Sequence, residues 1–542
     1  MTPSLPTRAA LRDALPAIVA YTAALGGTVL CAVLVFGRVP MVGLALNADT
    51  LLPFSFAWDL AHVPGAWHGH ELARIPSLVP DLAVLGSLLA ATGSVRPTLL
   101  LYGVAQALAF VHVGGLLAAH LGRARPDAAA QADGCALVFV LFAALVGLDL
   151  ATASHSVILD AFLPVDHFGP FLATPLGGLF AAEQLRRPTL RAALGLAVCC
   201  SLVYLSDLML VVELVVPLAC ACAVPVLAGR AAPRRAAGIA AAAGGGLLAG
   251  WLAFRALRLS GLHFEAAPPL APTLVLASVR AFLAHGPVFV AAHSRALAAG
   301  LFLPLAVFAA FPFTTLVRAR RNGDVTQACQ DLFLWCFAAA GIAGSLAFTA
   351  ILYMDEGSYR YLVALWAWPV IFLAATLLRV SRFRAASAAS AVLAASVLAT
   401  CVGLAVWPPA VLRWDHDVAA CLRPLQARLG LHAGLAGYWE ARPIEVATDW
   451  SMQVDQLDGD GLAYDWGNDP RWYRHALADP SRPPQYDFIV MRGLPPERIR
   501  AAYGAPDRVE PCADTAIWIY RDAASLTAAL IARSPALATP GR

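Results

Sequence analysis

Asp49 and Asp59 stand ten residues apart in the segment N-A-D-T-L-L-P-F-S-F-A-W-D-L, just beyond a long apolar run over about residues 15–37. Carboxylates at a bilayer face are costly to desolvate, so they are kept for a partner or for chemistry. Either acid is a candidate general base that takes a proton from an acceptor hydroxyl. Asp is also a favoured helix N-cap, which gives Asp49 a second, purely structural reading. Leu51, Leu52, Phe54, Phe56, Trp58 and Leu60 suit an amphipathic helix lying in the membrane surface. On such a helix the two acids need not share a face. His68-x-His70-Glu71 follows, without the H-E-x-x-H spacing of a helical zinc site. Arg74 and Pro80-Asp81 complete this polar stretch.

Three more polar groups interrupt the apolar sequence. S-H-S-V-I-L-D-A-F-L-P-V-D-H-F-G-P-F carries His155, Asp160, Asp166 and His167. His167 beside Asp166 suits binding of a hydroxyl-rich ligand or proton relay, or it simply opens the next helix at the interface. Ser206-Asp207 separates two apolar runs, where the Asp either caps the second helix or faces a polar cavity. Glu213 lies six residues on, inside that run, and needs a partner or a proton there. M-D-E-G-S-Y-R-Y places Asp355, Glu356, Tyr359, Arg360 and Tyr361 on a tight turn. A guanidinium makes two parallel bonds to phosphate oxygens; the alternative for Arg360 is a salt bridge to Asp355 or Glu356.

The elements that must position these groups are membrane helices. Of 542 residues, 59% are hydrophobic and 13% charged, too little charge to cover a soluble protein of this size. The net charge of +3 points to no nucleic-acid partner. Apolar runs long enough to cross a bilayer fall at about 15–37, 79–94, 97–121, 134–152, 169–186, 191–206, 208–228, 238–258, 295–317, 330–353, 361–380 and 386–407. The first has no clear small-residue cleavage site after it and reads as a retained helix.

Arginine clusters at 186–191, 230–235, 318–321 and 379–384 should be cytoplasmic. They put the loops at 153–168, 259–294 and 354–360, and everything after residue 407, on the outer face. Strict alternation fails by one span in the first third, so twelve or thirteen spans are expected. Residues 1–407 read as a transmembrane domain with external loops 38–78, 153–168 and 259–294.

Pro408-Pro409 closes the last apolar run, and dense charge, Trp and Tyr follow. Strand-like runs at Ile444–Ala447, Tyr486–Met491 and Ala516–Tyr520, with helix-like runs at Pro470–Ala478 and Pro495–Tyr503, predict a small α/β domain over 408–542. Most of the eleven cysteines lie in apolar runs. Cys421 and Cys512 do not, and would be free to pair if the tail is extracytoplasmic; otherwise they are two separate thiols. No nucleotide-binding loop, dinucleotide fingerprint, G-x-S-x-G or C-x-x-C occurs, which argues against a nucleotide-driven or cytoplasmic enzyme.

An acidic residue in the first external loop, a dozen or so spans and an outer C-terminal domain resemble the GT-C superfamily of membrane glycosyltransferases. Local strings sharpen the likeness: A-D-T-L-L-P-F-S-F-A-W-D-L, P-S-L-V-P-D-L, H-F-G at a span start, L-S-D-L-M and S-Y-R-Y-L, then G-Y-W-E-A-R-P-I, Y-D-F-I-V and Y-G-A-P in the tail. The resemblance implies a bacterial enzyme of the inner membrane that moves a sugar from a polyprenyl-phosphate donor to a glycan, lipid or protein of the envelope. It implies an inverting transfer, an outward-facing tail domain and no cofactor, with a divalent cation at the donor phosphate compatible with the scheme. The base would be Asp49, with Asp59 as its rival because the usual adjacent pair of acids is absent. Arg360, backed by Arg74, would meet the phosphate. Asp81, His167, Asp207, Tyr361 and Trp439 would line the substrate site, and Tyr438, Trp439, Trp450, Trp466, Trp472 and Tyr473 would offer the acceptor an aromatic surface. A transporter or flippase for a lipid-linked or small polar substrate is the alternative, with Glu213 as its central residue. An assembly protein whose spans merely anchor the tail is a third reading.

Overall fold

The computed structural model describes residues 8–37, 46–63, 65–73, 76–123, 126–152, 158–164, 167–207, 209, 211–227, 233–264, 271–293, 295–380, 416–464, 466–476, 481–534 and 537. The longer helices of the first part are α1 (Arg8–Phe36), α2 (Ala48–His62), α3 (Ala83–Thr92), α4 (Val95–Gly122), α5 (Ala128–Thr152), α6 (Ala173–Arg186) and α7 (Leu190–Tyr204). They continue with α8 (Val216–Leu227), α9 (Pro233–Leu259), α10 (Pro272–His293), α11 (Arg295–Asn322), α12 (Val325–Ile351) and α13 (Val363–Val380).

Among the described residues, seven helices are long and apolar enough to cross a membrane: Leu15–Phe36, Val95–Gly122, Ala128–Asp149, Pro233–Leu259, Ala298–Asn322, Val325–Ile351 and Gly357–Val380. The chain is thus a multi-pass helical membrane protein. The remaining expected spans resolve differently. Leu78–Thr92, Leu190–Tyr204 and Val211–Val226 are apolar but shorter helices. The run at 169–186 breaks into a single turn, Phe168–Phe171, and α6. The expected span at 386–407 lies outside the described residues. The stretch 259–294, expected as a loop, contains the 22-residue helix α10, which starts on a proline as first-turn positions allow.

Small residues let the helices approach closely, as membrane packing favours. Gly246 and Gly250 of α9 lie against the backbone of Ala197 and Ser201 in α7, and Gly134 of α5 against Gly115 of α4. The helical core near the start of α13 is aromatic: Trp366 of α13 stacks on Phe168 at 5.7 Å and on Phe142 at 5.8 Å.

The tail folds as a three-layer α/β/α unit. Strands β3 (Ala433–Gly437), β4 (Gln453–Leu457), β5 (Tyr486–Val490), β6 (Arg508–Cys512) and β7 (Thr515–Ile519) make one sheet in the order β4-β3-β5-β7-β6. β3 runs parallel to β4 and β5, while β7 is antiparallel to β5 and β6. Helices α14 (Asp417–Leu429) and α15 (Tyr438–Ala447) cover one face, with Val418, Leu422 and Ile444 packed on Phe488 and Val490. Helices α16 (Pro496–Tyr503) and α17 (Ala523–Arg533) cover the other, with Ile499, Leu526 and Leu530 packed on Leu435 and Ile489.

The strands at 486–490 and 515–519 and the helix Pro496–Tyr503 match the reading of the sequence, but Ile444–Ala447 is the end of α15, not a strand. Its apolar residues sit at helical spacing with the rest of the chain from Tyr438. Pro470–Tyr473 is one 3-10 turn closed by Arg474, and the end of the helix expected over Pro470–Ala478 lies outside the described residues. β3 was not anticipated, because A-G-L-A-G has weak strand preference and is held between two neighbours.

Cys421 of α14 and Cys512 of β6 form a disulfide with Cα atoms 5.8 Å apart, closing a sequence separation of 91 residues. Reduction is expected to lower the stability of the tail domain by roughly 2–4 kcal/mol, through the entropy regained by the unfolded chain. Denaturation with and without reductant checks this; identical midpoints would mean that the bond contributes nothing.

Burial drives the Asp487 carboxyl of β5 up to about 7, although the His432 N–H donates to it at 3.0 Å. Below about 4, the ordinary carboxylate range, both folded and unfolded chains hold this proton. Between there and pH 7 only the folded chain keeps it. Stability from this group therefore falls as pH rises across that window. The tail's melting temperature should decline over it, and Asp487→Asn should flatten the decline.

Candidate active site

Asn47 caps α2, its side chain accepting from the Thr50 N–H at 2.8 Å. The cap position is therefore taken, and Asp49, two residues into the helix, is released from that task. Its carboxylate, 14% exposed, is held from two sides. Arg360 Nη1 donates to Oδ2 at 3.2 Å, and the Tyr438 hydroxyl donates to Oδ1 at 2.6 Å. Burial first, and the Asp49 charge second, raise the Tyr438 pKa well above the ordinary range, so the phenol stays a donor.

Each partner is delivered by a short helical element. Arg360 stands on the 3-10 turn Glu356–Leu362, whose start Asp355 caps by accepting from the Gly357 N–H at 2.9 Å. Tyr438 is the first residue of α15, where β3 ends. Asp49, Arg360 and Tyr438 face a cleft of about 1180 Å³ between the membrane helices and the tail domain. Asp355, Ser358 and Tyr361 also line it, as do Trp439, Asp458 and Trp466 of the tail.

A polar chain runs from the cleft into the helices. The Arg360 guanidinium lies 5.5 Å from the Tyr361 ring centre. That ring meets His167 edge-on at 4.8 Å. His167 Nδ1 is 2.6 Å from Asp207 Oδ2, and Asp207 Oδ1 accepts from the Met209 N–H at 2.8 Å. His167 holds a left-handed backbone, φ 64°, just before Phe168. Glu213 is buried and close enough to Asp207 to feel its charge. Asp81 is buried, accepts from the Tyr102 hydroxyl and lies apart from the cleft lining.

Asp59 occupies a different place. It is fully buried and its Oδ2 lies 2.8 Å from His70 Nδ1. Burial pushes the Asp59 carboxyl well up and His70 down to about 3, so the pair holds a neutral hydrogen bond. An acid without solvent or cleft access is poorly placed to take a proton from substrate. Around it the first loop interlocks with the tail. Trp58 stacks on Trp450 at 4.7 Å, and the Glu71 N–H donates to the Asn468 carbonyl at 2.8 Å. Arg442 of α15 is fully buried here, donating to Glu445 and Asn468, with its guanidinium 3.5 Å from the Trp472 ring centre.

The structure thus brings Asp49, Arg360, Tyr361 and Trp439 to one cleft and links His167 and Asp207 to it through Tyr361. It sets Asp59 and Asp81 apart. Arg74, His155 and Asp166 lie outside the described residues. Of the aromatic residues expected as an acceptor surface, Tyr438, Trp439 and Trp466 line the cleft or its base, whereas Trp450, Trp472 and Tyr473 pack at the junction or in the tail. Tyr464 and Asp458 were missed, since neither sits in a recognisable motif. Among the described residues no cluster of three or more His, Cys, Asp or Glu side chains is set to hold a metal ion. His70 holds Asp59, and Glu71 lies in the short strand β1 (Glu71–Leu72), paired with β2 (His263–Phe264). The chain matches no family model and no curated protein.

Proposed function

We propose that the protein is a membrane glycosyltransferase of GT-C type, taking a sugar from a polyprenyl-phosphate donor at the outer face of a bacterial inner membrane. The observation that carries this reading is the Asp49 carboxylate, fixed by Arg360 and Tyr438 at the mouth of a cleft between membrane helices and tail. A lipid-borne donor would reach such a cleft from the bilayer, and an envelope glycan, lipid or protein from outside.

The outer placement has two supports. α13 begins at Val363, just past Arg360, and runs 18 residues, ~27 Å, to Val380, with Arg379 in its last turn. There Arg379 binds the Leu121 carbonyl and Asp331, and Arg235 binds the Leu185 carbonyl next to Arg186. Arginines gathered away from the cleft fit a cytoplasmic end. The tail disulfide fits an oxidising compartment.

In the proposed reaction Asp49 takes the proton of the acceptor hydroxyl. That oxygen attacks the anomeric carbon as the bond to the phosphate oxygen breaks, through a transition state of oxocarbenium character. Arg360 stabilises the charge growing on the departing polyprenyl phosphate. One displacement inverts the anomeric centre. No step is assigned to a metal ion.

The test is transfer of radiolabel into envelope material from polyprenyl-phosphate sugars, with nucleotide sugars as control, by membranes with and without the protein. Protein-dependent incorporation from the lipid donors alone supports the proposal. Uptake or flipping of the lipid without a new glycosidic bond would favour the transporter reading instead, for which buried Glu213 is the observation in favour.

A further inference from the structure

The cleft lining is divided by chemistry. The membrane side carries Asp49, Arg360 and the turn after Asp355, and the tail side carries aromatic rings with Glu440 and Asp458. Trp439 is 60% exposed. Its ring stands at 72° to Tyr438 with centroids 5.0 Å apart, and Trp466 meets Tyr438 from another side at 4.8 Å and 71°. Tyr438, the shared neighbour, is the residue that donates to Asp49. The ring platform and the candidate base are therefore one connected unit.

An indole left open to water beside polar acceptors suits a ligand with an apolar face and hydroxyls at its rim, which describes a pyranose. The acceptors are pre-set. Asp458 Oδ1 accepts from the N–H groups of Asp460 and Leu462 at 2.9 and 2.8 Å, and Asp355 Oδ1 from Gly357 at 2.9 Å. Local backbone bonds fix each carboxylate while leaving lone pairs for a ligand hydroxyl.

The charge is lopsided as well. Asp49, Asp355, Glu440 and Asp458 line the cleft against Arg360 and Arg492. Arg360 is tied to Asp49, and Arg492 to Asp417, Asp514 and Glu440. On the tail side, apart from Arg360 and the donor phosphate it would meet, the remaining field is negative and repels an anionic polymer.

Resting on the transferase reading, we infer that the acceptor is a saccharide, uncharged or amino-bearing, which lays one sugar face on Trp439 and turns a hydroxyl to Asp49. Rings and fixed carboxylates favour it over a protein acceptor.

The test uses the full-length protein in detergent. It is titrated with a neutral gluco-oligosaccharide, a chitosan oligomer, an oligogalacturonate and a Ser/Thr-rich peptide, followed by tryptophan fluorescence and calorimetry. Saturable binding of the neutral or amino saccharide is expected, weakened about ten-fold by Trp439→Ala, the equivalent of one good aromatic contact, and less by Trp439→Phe. The oligogalacturonate should bind worse and gain on Asp458→Asn. Binding that ignores Trp439→Ala, preference for the acidic oligomer, binding of the peptide alone, or no saccharide binding overturns the inference. The two proposals separate cleanly. Saccharide binding without any transfer removes the transferase and keeps the platform, while transfer at wild-type rate by Trp439→Ala removes the platform and keeps the transferase.

Discussion

Asp49→Asn is expected to lower sugar transfer by ~10²–10⁴-fold, the range typical of losing a positioned general base, or about 3–5 kcal/mol of transition-state stabilisation. The amide keeps an oxygen for the Tyr438 hydroxyl, so the helix and cleft should survive the change. What is lost is proton acceptance, and with it the charged contact with Arg360. The loss should fall on the chemical step, with little change in apparent donor affinity, because in the proposed scheme Arg360 meets the phosphate. Single-turnover transfer with saturating donor reads this directly. Asp59→Asn is the informative contrast. Its effect should appear as a lower melting temperature, since Asp59 is fully buried against His70. A transfer rate within about three-fold of wild type in Asp49→Asn, a loss far short of that expected of a general base, would sink the assignment of this residue as the base.

The preference for Asp49 over Asp59 was only half legible in the sequence. Both acids were visible, as was their position beyond the first span. Which one faces a cleft depended on two facts that no local string carries. One is that Asn47, not Asp49, caps α2. The other is that His70, eleven residues further along, closes over Asp59. Arg360 could be read as a phosphate partner from its solitary cation on a tight turn, but its contact with Asp49 spans 311 positions of sequence. Tyr438 was seen as one aromatic among several; its bond to Asp49 required the tail to dock on the first loop. The tail strands rich in Tyr, Phe and Ile read correctly, whereas A-G-L-A-G did not. Its strand character comes from Phe488 lying over Gly434, a tertiary contact. Hydropathy records composition and not helix length: the runs expected as spans at 79–94, 191–206 and 208–228 form apolar helices that stop at 10–17 residues.

Arg442→Met should be the most destabilising single change at the junction, costing about 3–5 kcal/mol. Arg442 is fully buried in α15, one turn beyond Tyr438, and its guanidinium joins Glu445, Asn468 and the face of Trp472. Removing the cation strips Glu445 and Asn468 of a buried donor and, with Asp455 alongside, drives the Glu445 carboxyl further above the value of about 8 at which burial already holds it. Methionine fills much of the volume, so the expected loss is electrostatic and should be relieved by Glu445→Gln. The double variant is expected to recover most of the stability, as buried pairs replaced together often do. Thermal denaturation of the four proteins in a double-mutant cycle measures the coupling; additive losses would mean that the pair does not hold the junction. Transfer supplies a second readout. Because α15 carries Tyr438 to Asp49, a loosened junction should slow transfer in Arg442→Met even at temperatures where the chain stays folded. The double variant should regain activity together with stability.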